Sequence, residues 1–423
     1  MTALDPYDVR RVLRGDGLLR EFNDAGVLAA ADVHVALRLA ALGGERDEWV
    51  ALAAALAVRG PRLGHVFVDL ATIRDTATVE ADEPVDLSGL PWPAAEAWTE
   101  RVAASGLVAV GEKDADSSRP LRLAGTWLYL DRYWREERQI AADLRALGEA
   151  PPAGVREDLL ADGLARLFTD DRQRLAAESA VRRRLAVVAG GPGTGKTTTV
   201  ARIVAVLLEQ APATTGSSPL LVALAAPTGK AAARLEEAVH EEAATLAVAE
   251  PVRAGLRSLK ASTLHRLLGW RPDSRSRFRH HRANRLPHDV VVVDETSMVS
   301  LSLMARLVEA VRPDARLVLV GDPGQLTSIE AGAVLGDIVA GAREGVVVLE
   351  RVHRFGGGIA RLAEAIRRGD AGAVLEALAG EPEGVTWIPV DVGDPAAAKA
   401  LAPVRDGAVS AARAVMDAAR RGA

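Results

Sequence analysis

Hydrophobic positions fall into two regimes along the chain. Up to about residue 147 they predict helices. Val33, Val35, Leu37, Leu39 and Leu42 mix with Asp32 and Arg38, and Trp49 to Val58 is almost wholly apolar, as in a buried helix. Ile73 to Pro93 is polar and acidic and reads as a loop. Leu128 and Leu130 alternate with Tyr129 and Asp131, then a charged helix follows over Arg135 to Leu147. The tract Gly148 to Gly154 holds two prolines between glycines and reads as a linker. From about Val155 short apolar runs recur between helical stretches: Leu185–Ala189, Leu220–Ala226, Val290–Val293, Leu317–Val320 and Val346–Leu349. Strands alternating with helices predict a parallel sheet covered on both faces, with ligands at the carboxyl ends of its strands.

Composition bounds this picture without deciding it. A chain of 423 residues with 49% hydrophobic content is expected to hold two or three domains. The net charge of −5 means that a nucleic-acid surface would have to be local. The absence of cysteine excludes disulfides, thiolate metal sites and cysteine nucleophiles. No apolar stretch approaches a membrane span, and Met1 to Arg10 is charged, so a cytoplasmic setting is expected.

The first strand of the second regime runs into Gly190-Gly191-Pro192-Gly193-Thr194-Gly195-Lys196-Thr197, followed by Thr198 and a helix carrying Val200, Ile203, Val204 and Leu207. Strand, G-x-x-x-x-G-K-[ST] and helix form the phosphate-binding P-loop pattern. Its glycines let backbone N–H groups turn inward around phosphate oxygens, and the helix N-terminus adds positive potential. Lys196 is expected to reach the β- and γ-phosphates of ATP, and Thr197 to hold Mg²⁺. The run Val290 to Val293 ends in Asp294 and Glu295. Asp294 is placed to hold Mg²⁺ and Glu295 to polarise the attacking water. A further strand ends in Gly321-Asp-Pro-Gly-Gln325, whose amide suits a γ-phosphate contact, although Asp-Pro-Gly is also a generic turn. Upstream, Gln173 has the donor–acceptor pair that matches the adenine edge, yet a lone glutamine on a helix is as readily just solvated. After the fifth strand, Arg354 is the candidate to lend charge to the transition state.

Other strand ends offer nucleic-acid chemistry. Thr228 and Lys230 sit at one strand-to-helix turn and Thr263 and His265 at the next, where phosphate contacts are expected. Between Arg253 and Arg285 there are ten Arg or Lys, three His and one acid, Asp273, with Trp270 and Phe278 interleaved. Cations track phosphates and aromatic faces stack on bases, but a solvated basic face fits the composition too. Its position between two nucleotide-site motifs favours DNA.

In this order the motifs resemble those of superfamily-1 helicases of the 5′→3′ class: Gln173 the Q motif, 190–197 motif I, 226–235 motif Ia, 263–269 motif Ib, Asp294 and Glu295 motif II, 321–326 motif III, Arg354 motif IV. Within that class the chain is similar to the RecD family, the alpha subunits of exodeoxyribonuclease V. Thr263-Leu-His-Arg-Leu-Leu-Gly-Trp270 and Val-Val-Val-Asp-Glu-Thr-Ser-Met298 carry the likeness, as do Ala31-Asp-Val-His-Val35 and Trp127-Leu-Tyr-Leu-Asp-Arg-Tyr-Trp134. The resemblance implies a mainly helical accessory domain over 1–147, a RecA-like ATPase domain over 155–345, and the start of a second, incomplete RecA-like domain over 346–423. It implies ATP and Mg²⁺ as cofactors, and single-stranded DNA at duplex ends as substrate. RecB-like and RecC-like subunits are the implied partners, the accessory domain docking on the latter, in the repair of double-strand breaks by recombination. Motifs V and VI are not found, so the chain is expected to stop inside the second domain. The alternative functional class is a nucleotide-gated DNA-binding module without unwinding. Pif1-like and conjugative relaxase helicases are a further alternative, against which the N-terminal half speaks.

Overall fold

The computed structural model describes residues 11–12, 16–79, 85–112, 118–211, 219–271, 274–325, 331–332, 334–341, 344–351, 357–380, 385–388, 390 and 399–421, with the side chains of 274–277 left aside. The chain divides into one compact unit through Arg351 and a second from Val352.

In the first unit, helices α1 (Gly17–Asp24), α2 (Ala30–Gly43) and α3 (Glu48–Arg62) precede strand β1 (Phe67–Asp69). The short α4 (Ile73–Thr76) and α5 (Ala95–Ala104) then lead to β2 (Val108–Val110), β3 (Leu121–Ala124) and β4 (Trp127–Leu130). The apolar run predicted as a buried helix is α3: Val50 to Ala57 are all buried. Asp47 caps it, accepting from the Trp49 amide at 2.8 Å. Helices dominate, as expected, but they pack on a four-stranded sheet ordered β1–β4–β3–β2, which the hydrophobic pattern does not reveal. These strands have only three or four residues, too few to show a period of two.

Helix α6 (Asp131–Glu149) joins this region to the next. Buried Asp131, at its first turn, accepts from Arg122 Nε at 2.7 Å, and the Trp134 ring covers the Arg122 guanidinium at 4.1 Å. Trp134 and Asp131 of the Tyr-Leu-Asp-Arg-Tyr-Trp segment thus lock a buried arginine of β3 to the start of α6. The loop 150–156 follows, as the linker composition predicts.

Next come α7 (Glu157–Leu167), α8 (Asp171–Arg182), β5 (Leu185–Gly190), α9 (Lys196–Gln210), β6 (Val222–Ala226), α10 (Gly229–Thr245), α11 (Glu250–Ser258), β7 (Ala261–Thr263) and α12 (Leu264–Leu268). A small hairpin, β8 (Trp270–Arg271) with β9 (Ser274–Phe278), precedes β10 (Val290–Val293). A 3₁₀ turn over Thr296–Met298, then α13 (Leu301–Ala310), β11 (Arg316–Gly321), α14 (Val334–Gly341) and β12 (Val346–Leu349) complete the unit. Apart from that hairpin, the described strands from β5 onward form one sheet ordered β12–β5–β11–β10–β6–β7, every neighbour parallel. Val187, Val291, Val293, Leu317 and Leu319 point to one face, and Val188, Val290, Val292, Val318 and Val320 to the other. Both faces are covered, which is why these runs are continuously apolar rather than alternating.

Two expected boundaries shift. Val346–Leu349 is hydrogen-bonded to β5 in register with Val187–Gly190, so it is the edge strand of this sheet and not the start of a second domain. Nor does the first region end cleanly at 147. Ile140, Leu144 and Leu147 of α6 lie in the same core as Val187, Val291 and Leu319, against the sheet. A polar ladder holds α6 to α13: Ser302 donates to Glu136 at 2.6 Å and Gln139 to Glu309 at 3.2 Å, while Arg306 reaches both carboxylates.

In the second unit α15 (Gly357–Arg367) packs on α16 (Ala371–Ala379), which Asp370 caps, and α17 (Ala402–Arg420) follows. The apolar run Val385 to Val390, whose composition makes it one more strand candidate, forms no strand among the described residues. Pro389, itself outside the described residues, lacks the N–H a ladder needs.

Candidate functional site

The carboxyl ends of β5, β11, β10, β6 and β7 carry almost every residue singled out from the sequence. After β5 the chain turns through Gly193 and Gly195, both at positive φ (78° and 80°), which only glycine adopts cheaply. A Cβ at Gly190 would lie 2.7 Å from Thr194 Oγ1 and 3.0 Å from the Leu349 carbonyl, so the loop closes only on glycine. Thr194, buried, donates to the Gly191 carbonyl at 2.9 Å, and Thr199 donates to the Gly195 carbonyl at 2.8 Å. The loop is therefore held from within. Lys196 opens α9, and its Nζ donates to the carbonyls of Gly190 (2.7 Å) and Gly191 (3.0 Å). Those two oxygens take the donors that anionic phosphate oxygens would compete for. Thr197 and Thr198, half-buried, follow at the helix N-terminus, while Pro192 is exposed. Buried Gln173, on α8, reaches the Thr194 carbonyl at 3.5 Å, so it stands against the loop and is not a solvated side chain.

At the end of β10, Asp294 is 6% exposed and accepts from the Glu295 amide at 2.8 Å. Burial, helped by the Glu295 charge, pushes its carboxyl up to about 6, against the backbone hydrogen bond and Lys196, which act the other way. A desolvated carboxylate within the influence of the Lys196 charge has the chemistry to hold a cation. Glu295 has φ 50°, the one non-glycine residue at positive φ among the described residues. That conformation costs about 1–2 kcal/mol. Its Oε2 is buried without a hydrogen-bond partner. At the end of β11, Asp322 is buried, accepts from the Gly324 amide at 3.0 Å, and so closes the turn that presents Gln325. Exposed Gln325 meets the Ser297 hydroxyl at 3.4 Å. Ser297 and Asp322 were not singled out from the sequence. The sign was present, since both lie inside the motifs, but their burial is a tertiary fact. Arg354 lies outside the described residues.

On the flank, Ala226 and Thr263 are register partners on adjacent strands, which brings the two turns together. Thr228 Oγ1 accepts from the Ala231 amide and Thr263 Oγ1 from the Arg266 amide, both at 3.2 Å, capping α10 and α12. Each hydroxyl keeps its hydrogen to donate. Lys230 and His265 are exposed, His265 tilted against Phe278 at 5.8 Å. The basic stretch divides. Arg253 donates to carbonyls at the end of α10, Arg282 pairs with Asp143 at 2.6 Å, Arg285 donates to the Val311 carbonyl, and Lys260 pairs with Glu236 at 3.1 Å. Arg257, Arg266, Arg271 and Arg279 are exposed. The side chains of Arg275 and Arg277 lie outside the described residues. A groove of about 790 Å³ runs between α10 and β7, away from the P-loop. Glu236, Glu237 and Glu241 line one part of it, and His240, Thr263 and Arg266 another.

Residues 169–382 match the family model described as an AAA domain, and residues 24–129 the model for the RecBCD enzyme subunit RecD, N-terminal domain. The chain belongs to the AAA-domain family. It is 54% identical over 370 residues to the RecBCD enzyme subunit RecD of Mycolicibacterium smegmatis, covering 87% of this chain and 63% of that one. The same subunit of Mycobacterium tuberculosis is 52% identical over 396 residues, covering 92% and 64%. An ATP-dependent RecD2 DNA helicase of Deinococcus radiodurans is 35% identical over 292 residues, covering 66% and 36%. The chain thus spans somewhat under two thirds of the length of the two RecD relatives.

Proposed function

We propose that this chain is the motor part of an ATP-dependent 5′→3′ DNA helicase subunit of a RecBCD-type complex, acting at double-strand ends in recombinational repair in the cytoplasm. One observation carries the reading: P-loop, Asp294, Glu295 and Gln325 converge at one end of a parallel sheet, with Thr228 and Thr263 on the neighbouring strand ends.

The roles follow from that arrangement. Backbone amides of 190–195 and the Lys196 ammonium bind the triphosphate, and Gln173 reads the adenine edge. Thr197 and Asp294 hold Mg²⁺, which neutralises charge on the phosphates when bound. Glu295, with a free buried oxygen, orients the attacking water and accepts its proton. Gln325 donates to the γ-phosphate and so distinguishes triphosphate from diphosphate. Arg354 adds charge to the transition state. The threonine hydroxyls, Lys230 and His265 hold single-stranded DNA by its backbone. The region before α6 is the surface for RecB-like and RecC-like subunits. The likeness to RecD subunits supports that assignment.

The test is ATP hydrolysis by the 423-residue chain with and without single-stranded DNA, beside Lys196→Ala, then strand separation on duplexes with a 5′ or a 3′ tail. DNA-stimulated turnover that disappears in Lys196→Ala, with unwinding of the 5′-tailed duplex alone, is the expected result. Equal hydrolysis by the variant and its parent would sink the reading.

A further inference from the structure

We infer that Gly321, which has no chemistry of its own, is a positioning residue for Glu295. The inference rests on the reading of this site as a nucleotide hydrolase. Glu295 lies in the left-handed region, at φ 50° and ψ 41°, where its own side chain is unfavourable, so its surroundings must hold it there. Its Oε2 has no hydrogen-bond partner among the described residues, so the backbone, more than hydrogen bonding, aims that oxygen.

The 3₁₀ turn after Glu295 is gripped from two sides. On one, Thr296 is wholly buried and its hydroxyl donates to the Val293 carbonyl at 3.0 Å, while the Met298 amide donates to the Glu295 carbonyl at 3.0 Å. On the other lies Gly321, the last residue of β11. A Cβ there would stand 3.1 Å from the backbone nitrogens of both Thr296 and Ser297, and 2.6 Å from Leu335 Cδ2. The neighbouring strand thus sits against the turn more closely than a Cβ ordinarily does, so a side chain at 321 makes the turn give by a few tenths of an ångström. Gly321 is held in register with Ala189 of β5, and β10 pairs with β11 as far as Leu319, so a side chain at 321 displaces the unpaired turn before the strand. Displacing the turn by a few tenths of an ångström releases Glu295 toward ordinary φ and swings its carboxylate away from the attacking water.

Gly321→Ala decides the matter. Its kcat should fall about 10- to 100-fold, as for a misplaced catalytic group, with the affinity for a fluorescent ATP analogue and the melting temperature near those of the parent. Gly321→Ala/Leu335→Ala clears the side-chain clash but not the backbone one, and it also guards against a single variant that folds poorly. It should stay slow, and recovery to the parent rate would reduce Gly321 to packing against α14. In a Glu295→Gln background Gly321→Ala should add no further loss, and a full additional loss overturns the inference. Should the parent chain not hydrolyse ATP at all, the hydrolase reading fails on its own. The crystal structure of Gly321→Ala still tests the grip: Glu295 out of the left-handed region supports it, Glu295 remaining near φ +50° refutes it.

Discussion

The nucleotide pocket and the basic stretch from Arg253 to Arg285 are both plain in the sequence, yet the fold treats them differently. At the pocket the candidates converge: Lys196 on the carbonyls of Gly190 and Gly191, Asp294 buried beside Glu295, Gln325 against Ser297. In the basic stretch several cations serve the fold. Arg253 closes the end of α10, and Arg282 and Arg285 tie the segment after the hairpin to α6 and to the end of α13. A spaced motif specifies geometry, because each residue has one place relative to its neighbours. A local composition specifies only a charge, and a folded chain spends charge on helix ends and ion pairs before any ligand arrives.

This contrast can be tested from its strongest side down. Glu295→Gln should lower ATP turnover by about 10²–10⁴-fold while leaving nucleotide affinity in place, since a general base acts only in the transition state. A proportional loss of affinity, measured by titration with a fluorescent nucleotide, would move Glu295 from chemistry to binding. Leu144→Ala should cost roughly 2–5 kcal/mol in urea unfolding, because α6 fills the core beneath the sheet. A loss confined to residues before 130, followed by hydrogen exchange, would return α6 to the N-terminal region.

A pH titration sharpens the pocket itself. Burial raises Asp294 from 3.8 to about 6, so the folded chain binds this proton more tightly than the unfolded one. Stability of the nucleotide-free chain should therefore fall as pH rises from about 4 to 6, by on the order of 3 kcal/mol from this group. Asp294→Asn should remove that slope, and Mg²⁺ affinity should weaken as pH falls below 6. An identical slope in the variant would place the titration elsewhere. On the flank, Arg266→Ala with Arg279→Ala should flatten the dependence of DNA binding on salt, by about 0.7 in log–log slope for each phosphate no longer neutralised. Arg253→Ala should lower the melting temperature and leave that slope alone. The smallest effect belongs to Thr228→Ala, about 1 kcal/mol through removal of the cap of α10.

Much of the fold is legible from the chain alone. The five core strands read from apolar runs all exist, because a strand buried on both faces has no polar positions to blur it. The phosphate loop is equally plain, since its function lies in backbone conformation and glycine marks the conformation directly. The short strands β1 to β4 are not visible, nor is β12 as part of the first sheet, because pairing joins residues far apart in the sequence.

The sequence by itself determined the five apolar strands and their order, the loop at 190–197 and the carboxylates that follow β10, because each depends on neighbours within one turn or strand. Only the tertiary structure decided that α6 belongs to the core beneath the sheet, which cations of the basic stretch are taken up by the fold, and that Gly321 rests against the turn holding Glu295. Those depend on which distant surfaces meet, and burial, not local preference, chooses the meeting.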